Sequence, residues 1–195
     1  IRDQLKDSVE RVRIDSRRTW EEGRDFTARF NPELASRVEY YPGECPIFDL
    51  HSVEDEIQKA LQRKVPLKSG GYLIIDQTEA MTTIDVNTGS FVGHHNLEET
   101  IFKTNLEATQ AIARQLRLRN LGGIIILDLI DMEDEQHRQQ VMRSLQKFLD
   151  LDHARTHIST VSALGLIEMT RKRTREGLEH VLCETCPTCE GRGFL

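Results

Sequence analysis

The run "GGIIILDLID" at residues 122–131 constrains the fold more than any other stretch of the chain. It follows the segment "LEETIFKTNLEATQAIARQLRLRN", in which apolar residues recur at helical spacing at Ile101, Ala108, Ile112 and Leu116. The two glycines end this predicted helix. The apolar run after them predicts a buried strand of the parallel α/β kind, covered on both faces.

Further helices and strands are predicted on both sides of this strand. Strands are expected near "VERVRIDS" and "RVEYY", with a helix through "RRTWEEGRDFTARF" between them. Ser52 predicts the start of a helix in "DLHSVEDEIQKALQRK", and Asn96 predicts the cap of the long helix. "YLIID" and "AMTTIDVN" predict paired strands, residues 134–151 a helix, and "HISTVSALGLIEMTR" one or two more strands. The alternation of strands and helices predicts an α/β fold.

Composition narrows the class of protein. The 195 residues are 38% hydrophobic, and their longest apolar run, Ile124 to Leu127, is far shorter than the ~20 residues of a membrane helix. The charged opening is not a signal peptide, so we expect a cytoplasmic protein. Because the chain begins at Ile1 and ends just after a cysteine cluster, we expect a fragment of a larger protein.

The charge distribution is uneven. The net charge of -6 argues weakly against a pure nucleic-acid-binding module, which usually carries a basic surplus. The segment "MTRKRTRE" at 169–176 is locally basic. A basic patch on an acidic body suits an enzyme that handles a polyanion through metal ions, and a solvated charged face explains the same run equally well.

Two carboxylates follow apolar strand patterns, Asp85 in "TTIDVNTG" and Asp128 at the end of "IIILD". A single aspartate at a strand end is usually a cap or turn residue, but functional groups collect at the carboxyl ends of strands in open α/β sheets. With the amide of Asn87, the pair offers hard oxygen ligands suited to Mg²⁺. A phosphodiester hydrolase follows as a hypothesis. Asp131 is expected to cap the next helix instead.

The cysteines indicate a metal site rather than disulfides, since three of the four lie within seven residues: Cys45, Cys183, Cys186 and Cys189. A structural zinc site takes four ligands, and the knuckle "CPTC" supplies only Cys186 and Cys189. Two completions remain open. Cys183 and His180 complete a site within one chain, or a second chain supplies the same pair across a two-fold axis.

Three other side chains that can bind metals are given ordinary roles. His94 and His95 lie in a polar loop without a partner at ligand spacing, so a surface loop is the favoured interpretation. Cys45 precedes a proline and has no local partner. We expect it to be a buried thiol.

Four separated motifs together resemble the ribonuclease E/G family: "TTIDVNTG", "TNLEATQAIARQLRLRNLGGIIILDLIDM", "LIEMTRKR" and "CPTCEGRG". Details such as "IDVNTGSFVG", "IFKTNLEA" and "MTRKRTRE" resemble its ribonuclease G branch more than its ribonuclease E branch. The resemblance covers the whole chain. It implies a mixed α+β architecture in three parts: a ribonuclease H-like subdomain at 1–78, a DNase I-like catalytic subdomain at 79–178, and a zinc-link segment at 179–195.

The resemblance also implies an activity, namely Mg²⁺-dependent, single-strand-specific cleavage of A/U-rich RNA, with a preference for 5′-monophosphorylated ends, in rRNA processing and mRNA decay. In this family Asp85 and Asp128 match the Mg²⁺ ligands, with Asn87 in the same catalytic motif. Cys186 and Cys189 match the zinc link that joins a homodimer. We expect four basic residues to bind RNA, the first at the 5′-phosphate and the others along the backbone: Arg155, Arg171, Lys172 and Arg173.

Alternative functions remain. The family's oligonucleotide-binding domain and 5′-sensing region are absent from this sequence, so we expect the chain alone to bind RNA weakly and to be inactive. A non-catalytic RNA-binding or scaffold module is therefore the second hypothesis. A zinc-knuckle chaperone-like protein is a third, although its cysteine repeat normally recurs four times and occurs here once. Arg155 is also explained as an ordinary helix-end arginine.

Overall fold

A computed structural model describes residues 9–89, 97–162 and 164–189. The chain divides into two compact units, Ile1–Gln58 and Lys59–Leu195. The expected cap at Asn96 and the loop with His94 and His95 lie outside the described residues.

The first unit contains a small parallel sheet, one long helix and short helices. Its elements are β1 (Val12–Ile14), α1 (Arg17–Phe30), α2 (Pro32–Ala35), β2 (Val38–Tyr40) and α3 (Ile47–Leu50). Ser16 caps α1 by accepting a hydrogen bond from the Thr19 amide, and the Trp20 indole donates to the Val38 carbonyl at 3.2 Å. Cys45 is exposed, so the expectation of a buried thiol is wrong.

The second unit is built on a six-stranded sheet. The helix α4 (Val53–Ala60) spans the division between the units. The elements that follow are β3 (Lys64–Pro66), β4 (Tyr72–Gln77), β5 (Met81–Asn87), α5 (Leu97–Leu118), β6 (Gly123–Asp128), α6 (Glu135–Leu149), β7 (Thr156–Val161), β8 (Ile167–Arg171) and α7 (Leu178–Leu182). The strand order is β3-β4-β5-β6-β8-β7. The fold is therefore mixed α/β, as predicted.

Among the described residues of this sheet, one neighbouring pair of strands is parallel. β5 and β6 run parallel and are connected through α5, whereas β3–β4, β4–β5, β6–β8 and β7–β8 are antiparallel. The predicted pairing of "YLIID" with "AMTTIDVN" is confirmed as the β4–β5 hairpin. The boundary expected between residues 78 and 79 falls in the turn of this hairpin, and the three-part division stays a prediction.

One face of the sheet carries the core. Ile84, Ile125 and Leu127 are buried, and α5 and α6 pack against each other and contribute side chains to the same cluster. On the other face Ile124 is 49% exposed. The prediction of a strand covered on both faces is wrong, because β6 alternates buried and more exposed side chains as a sheet with one packed face does.

Two residues set the connections between β6 and the helices before and after it. Gly123 adopts a φ of 93°, which glycine reaches without a steric penalty, and this lets the chain turn from α5 into β6. The side chain of Asp134, not Asp131, caps α6 by accepting the Gln136 amide at 2.7 Å. The expectation that Asp131 is the cap is wrong, since the helix begins three residues later than that role requires.

Among the described residues we find no helix long and apolar enough to cross a membrane.

Candidate functional site

Two carboxylates meet at the carboxyl ends of the parallel strands. In the register of β5 and β6, Asp85 is the direct partner of Asp128, and both side chains are exposed at that sheet edge. The Asn87 amide donates to Asp85 Oδ2 at 2.6 Å. The structure therefore brings together the three residues that the sequence singled out for a magnesium site.

Negative charge is concentrated around the acid pair. Burial raises the pKa of Asp128 above its ordinary value, and the charges of Asp85 and Asp131 raise it further. The paired carboxylates form a donor set that suits a hard divalent cation, which would relieve the repulsion between them. The residues present thus fit a magnesium ion.

A buried amide fixes the chain just after Asp128. Asn105 on α5 is 0% exposed; its Nδ2 donates to the Ile130 carbonyl at 2.8 Å, and its Oδ1 accepts the Ile130 amide at 3.1 Å. The sequence analysis did not single out Asn105. The available signal was its position, since Asn105 is a polar residue on the apolar stripe that contains Ile101 and Ala108.

A second set of hydrogen bonds fixes the loop between β6 and α6 closer to the start of α6. Glu98 accepts the backbone amides of Asp134 and Glu133 at 3.2 and 3.3 Å, and His137 Nδ1 lies 3.2 Å from the same carboxylate. The His137 ring stacks on Phe102 with centroids 4.1 Å apart. The amide of Asp134 is the largest cause that lowers the pKa of Glu98, so this carboxylate stays charged and acts as a backbone anchor.

The expected RNA-binding residues lie at the opposite edge of the sheet. Arg171 pairs in register with Gly123, the first residue of β6, whereas Asp128 is the last. The Lys172 amide donates to the Arg155 carbonyl at 2.9 Å, so these two residues are neighbours, and both side chains are exposed. Arg173 is also exposed, and its Nε donates to the Gly122 carbonyl at 3.1 Å.

Arg171 has a different environment from the one expected for RNA binding. Its side chain is 4% exposed and forms an ion pair at 2.8 Å with Asp152, which is 6% exposed. Its Nη1 donates to the Leu121 carbonyl at 2.6 Å. Because the guanidinium is buried among these partners, Arg171 is a structural residue, and we correct its assignment as an RNA contact.

The cysteine segment forms a knuckle. Backbone amides of Cys189 and Thr188 hydrogen-bond to the sulfur of Cys186 and lower the pKa of its thiol, so the thiolate that zinc requires is favoured. This is the amide arrangement expected for a metal-binding knuckle. The residues after 189 lie outside the described part of the chain.

The completion of a zinc site within one chain is not formed in the described residues. No group of three or more His, Cys, Asp or Glu side chains is arranged there to hold a metal ion. The Nε2 atom of His180 lies 4.0 Å from a Glu176 carboxylate oxygen. Within the described residues, Cys186 and Cys189 are two thiols at the spacing of a metal-binding knuckle.

Fold and site together define a mixed α/β protein with a carboxylate pair at the end of its parallel strands. Residues 1–174 match the model of the ribonuclease E/G family, and the chain belongs to this family. It is 64% identical to ribonuclease G of Salmonella typhimurium over 195 residues, 59% identical to ribonuclease G of Haemophilus influenzae over 193, and 42% identical to ribonuclease E of Escherichia coli over 196.

These alignments cover different shares of the proteins compared. They span 100%, 99% and 100% of this chain, respectively. They span only 40%, 39% and 18% of the three relatives. The chain therefore corresponds to less than half the length of the ribonuclease G proteins it matches.

Proposed function

We propose that this chain carries the catalytic acids of an Mg²⁺-dependent endoribonuclease. The observation that carries the proposal is the direct register of Asp85 with Asp128 at an exposed sheet edge. Membership of the ribonuclease E/G family and the names of the relatives support RNA as the substrate. In the proposed reaction Asp85 and Asp128 hold the cation, and Asn87 orients Asp85 through its hydrogen bond.

A divalent cation at this edge would acidify a water molecule and stabilise the charge that develops on the phosphodiester. Attack of water oxygen on phosphorus breaks the bond from phosphorus to the 3′-oxygen, and the proton of the water ends on that oxygen. The products carry 5′-phosphate and 3′-hydroxyl ends.

The finer assignments rest on the family resemblance. We propose single-stranded, A/U-rich RNA with a 5′-monophosphate as the preferred substrate, in rRNA processing and mRNA decay. Arg155, Lys172 and Arg173 are exposed, and we propose that they contact the RNA backbone, with Arg155 near the 5′-phosphate. The cytoplasmic location stays a prediction.

The test uses the longest natural polypeptide that contains this chain. With a 5′-monophosphorylated A/U-rich oligonucleotide and Mg²⁺, we expect Asp85→Asn and Asp128→Asn each to lower the cleavage rate by about a hundredfold or more, because each removes a charged ligand. Asp76→Asn is the matched control, since Asp76 lies on the neighbouring strand and pairs with Arg63.

Either of two outcomes would contradict this proposal. One is undiminished cleavage by both variants at the acid pair. The other is a wild-type protein that binds the oligonucleotide in a salt-dependent way without cutting it, which would favour the RNA-binding or scaffold hypothesis.

We further propose that Cys186 and Cys189 of two chains share one zinc ion and so form a homodimer. The Cys-x-x-Cys spacing of the two thiols supports this half-site, because a structural zinc ion takes four ligands and one chain supplies two of them here. We expect half a zinc per chain in a protein of dimer mass, and loss of both zinc and dimer in Cys186→Ser. Cys45→Ser is the control. One zinc per monomer would overturn the shared site in favour of a single-chain site with Cys183 and His180.

A further inference from the structure

We infer that Asn105 is a positioning residue for the acid pair. This inference rests on the proposed function of Asp85 and Asp128. In the described structure the side-chain hydrogen bonds of Asn105 go to the Ile130 backbone rather than to either carboxylate. It acts through Ile130, the second residue after Asp128, by holding both the amide and the carbonyl of that residue.

The hydrogen bonds of Asn105 substitute for a strand partner. β6 ends at Asp128, and its ladder with β8 runs only from Gly123 to Leu127. Beyond that point the backbone at Ile130 has lost its sheet neighbours, and the side-chain amide supplies the donor and the acceptor that a strand would supply. Because the amide is completely buried and makes both hydrogen bonds, the loop can take few other positions.

The same helix also holds the turn between β3 and β4, which lies beside the end of β5. Thr104 Cγ2 lies 3.0 Å from where a Cβ on Gly71 would stand, and the Asn87 carbonyl lies 2.6 Å from that point. Glu107 accepts the amides of Ser69 (2.9 Å) and Lys68, and so fixes the turn that contains Gly71. One turn of α5 thus holds the chain beside the end of β5 and the chain beyond the end of β6.

The distance between two carboxylates sets how well they hold a cation, and outer-shell partners commonly change metal affinity 10–100-fold. Removal of the Asn105 amide frees Ile130 and lets Asp128 move relative to Asp85. The pair would then keep its charges but lose its fixed spacing. A residue with a merely structural role would lower stability without this effect on the cation.

The test measures Mn²⁺ binding to this chain, and the electron paramagnetic resonance signal of the free ion reports how much Mn²⁺ is unbound. We expect Asn105→Ala to raise the Mn²⁺ dissociation constant about tenfold at a temperature where the variant is fully folded. In the metal-free protein, hydrogen exchange of the Ile130 amide should accelerate. Asn105→Ser, which is too short to bridge both backbone groups, should act in the same direction if Asn105→Ala folds poorly.

Thr109→Val is the matched control. Thr109 is 0% exposed on the same helix, and its hydroxyl bonds the Leu106 carbonyl and Ser144, away from the loop. We expect this variant to lose stability comparably while its Mn²⁺ affinity stays within twofold of the parent.

Asp85→Asn separates the two hypotheses. If Asp85→Asn loses Mn²⁺ binding and both Asn105 variants keep parental affinity, the positioning role is overturned and the proposed metal site stands. If Asp85→Asn binds Mn²⁺ as the parent does, the acid pair is not the metal site, and both proposals fail.

Discussion

The charged side chains at the two ends of the parallel strands β5 and β6 are arranged in opposite ways. At the carboxyl edge, Asp85 and Asp128 are like-charged and exposed, and their mutual repulsion helps to raise the pKa of Asp128. At the amino edge, Arg171 and Asp152 are oppositely charged and almost fully buried. Burial raises the pKa of Asp152, but the hydrogen bonds from Arg171 and Ala154 outweigh it, and the pKa is lowered overall.

This contrast separates a candidate site from a structural element. Exposed like charges are held together at a cost to stability, which suggests a ligand that neutralises them. Buried opposite charges already satisfy each other and leave nothing for an RNA phosphate to bind. A charged residue at a strand end therefore indicates a functional site only when its burial and its interaction partners are also known.

The largest expected effect follows from the buried pair. Arg171→Met leaves the Asp152 carboxylate buried without its partner, and we expect the free energy of unfolding to fall by about 3–5 kcal/mol. Urea denaturation at neutral pH measures this loss. Asp76→Ala breaks the exposed pair with Arg63 and should cost about 1 kcal/mol or less. Equal losses in the two variants would erase the distinction between the edges.

A smaller effect concerns the pH dependence of stability. The lowered pKa of Asp152 stabilises the fold above the ordinary aspartate pKa, and this contribution is lost as pH falls through the lower folded value. The raised pKa of Asp128 destabilises the fold at neutral pH, and the penalty disappears as pH falls through the raised value. The two aspartates should therefore give opposite signs when each is replaced by asparagine.

Urea titrations from pH 7 down to about pH 2 without divalent cations test these signs. Asp152→Asn should be less stable than the parent at pH 7, with a difference that narrows as the pH falls towards the folded pKa. Asp128→Asn should be slightly more stable at pH 7, by no more than about 0.5 kcal/mol after solvent screening, and equal to the parent at low pH. Differences of the same sign would contradict the comparison.

Local patterns predicted most of the elements of this fold. The helix "RRTWEEGRDFTARF" forms as α1 over the same residues, and the apolar run after Gly122 forms β6. The sequence did not predict that β8 pairs antiparallel with β6 or that Ile124 is exposed. Strand direction and the covering of a face depend on distant segments, and an apolar run looks similar in either case.

The candidate site was predictable in part for a related reason. Asp85 and Asp128 follow apolar strands, so position along the chain was enough to place them at one edge. Arg171 and Lys172 are adjacent in sequence, yet one is buried and the other exposed. The buried partner, Asp152, is distant in sequence. Asn105 was missed because its role depends on Ile130, which no helical pattern indicates.

The parallel pairing of β5 with β6 has a consequence for the order of folding. The β4–β5 hairpin closes through a short turn, so its contacts form locally and early. Asp85 and Asp128 become neighbours only after the chain through α5 has returned to the sheet, a long and slower closure. A partly folded chain thus contains every proposed metal-ligating residue before the metal site has formed. We expect metal affinity to appear late in folding.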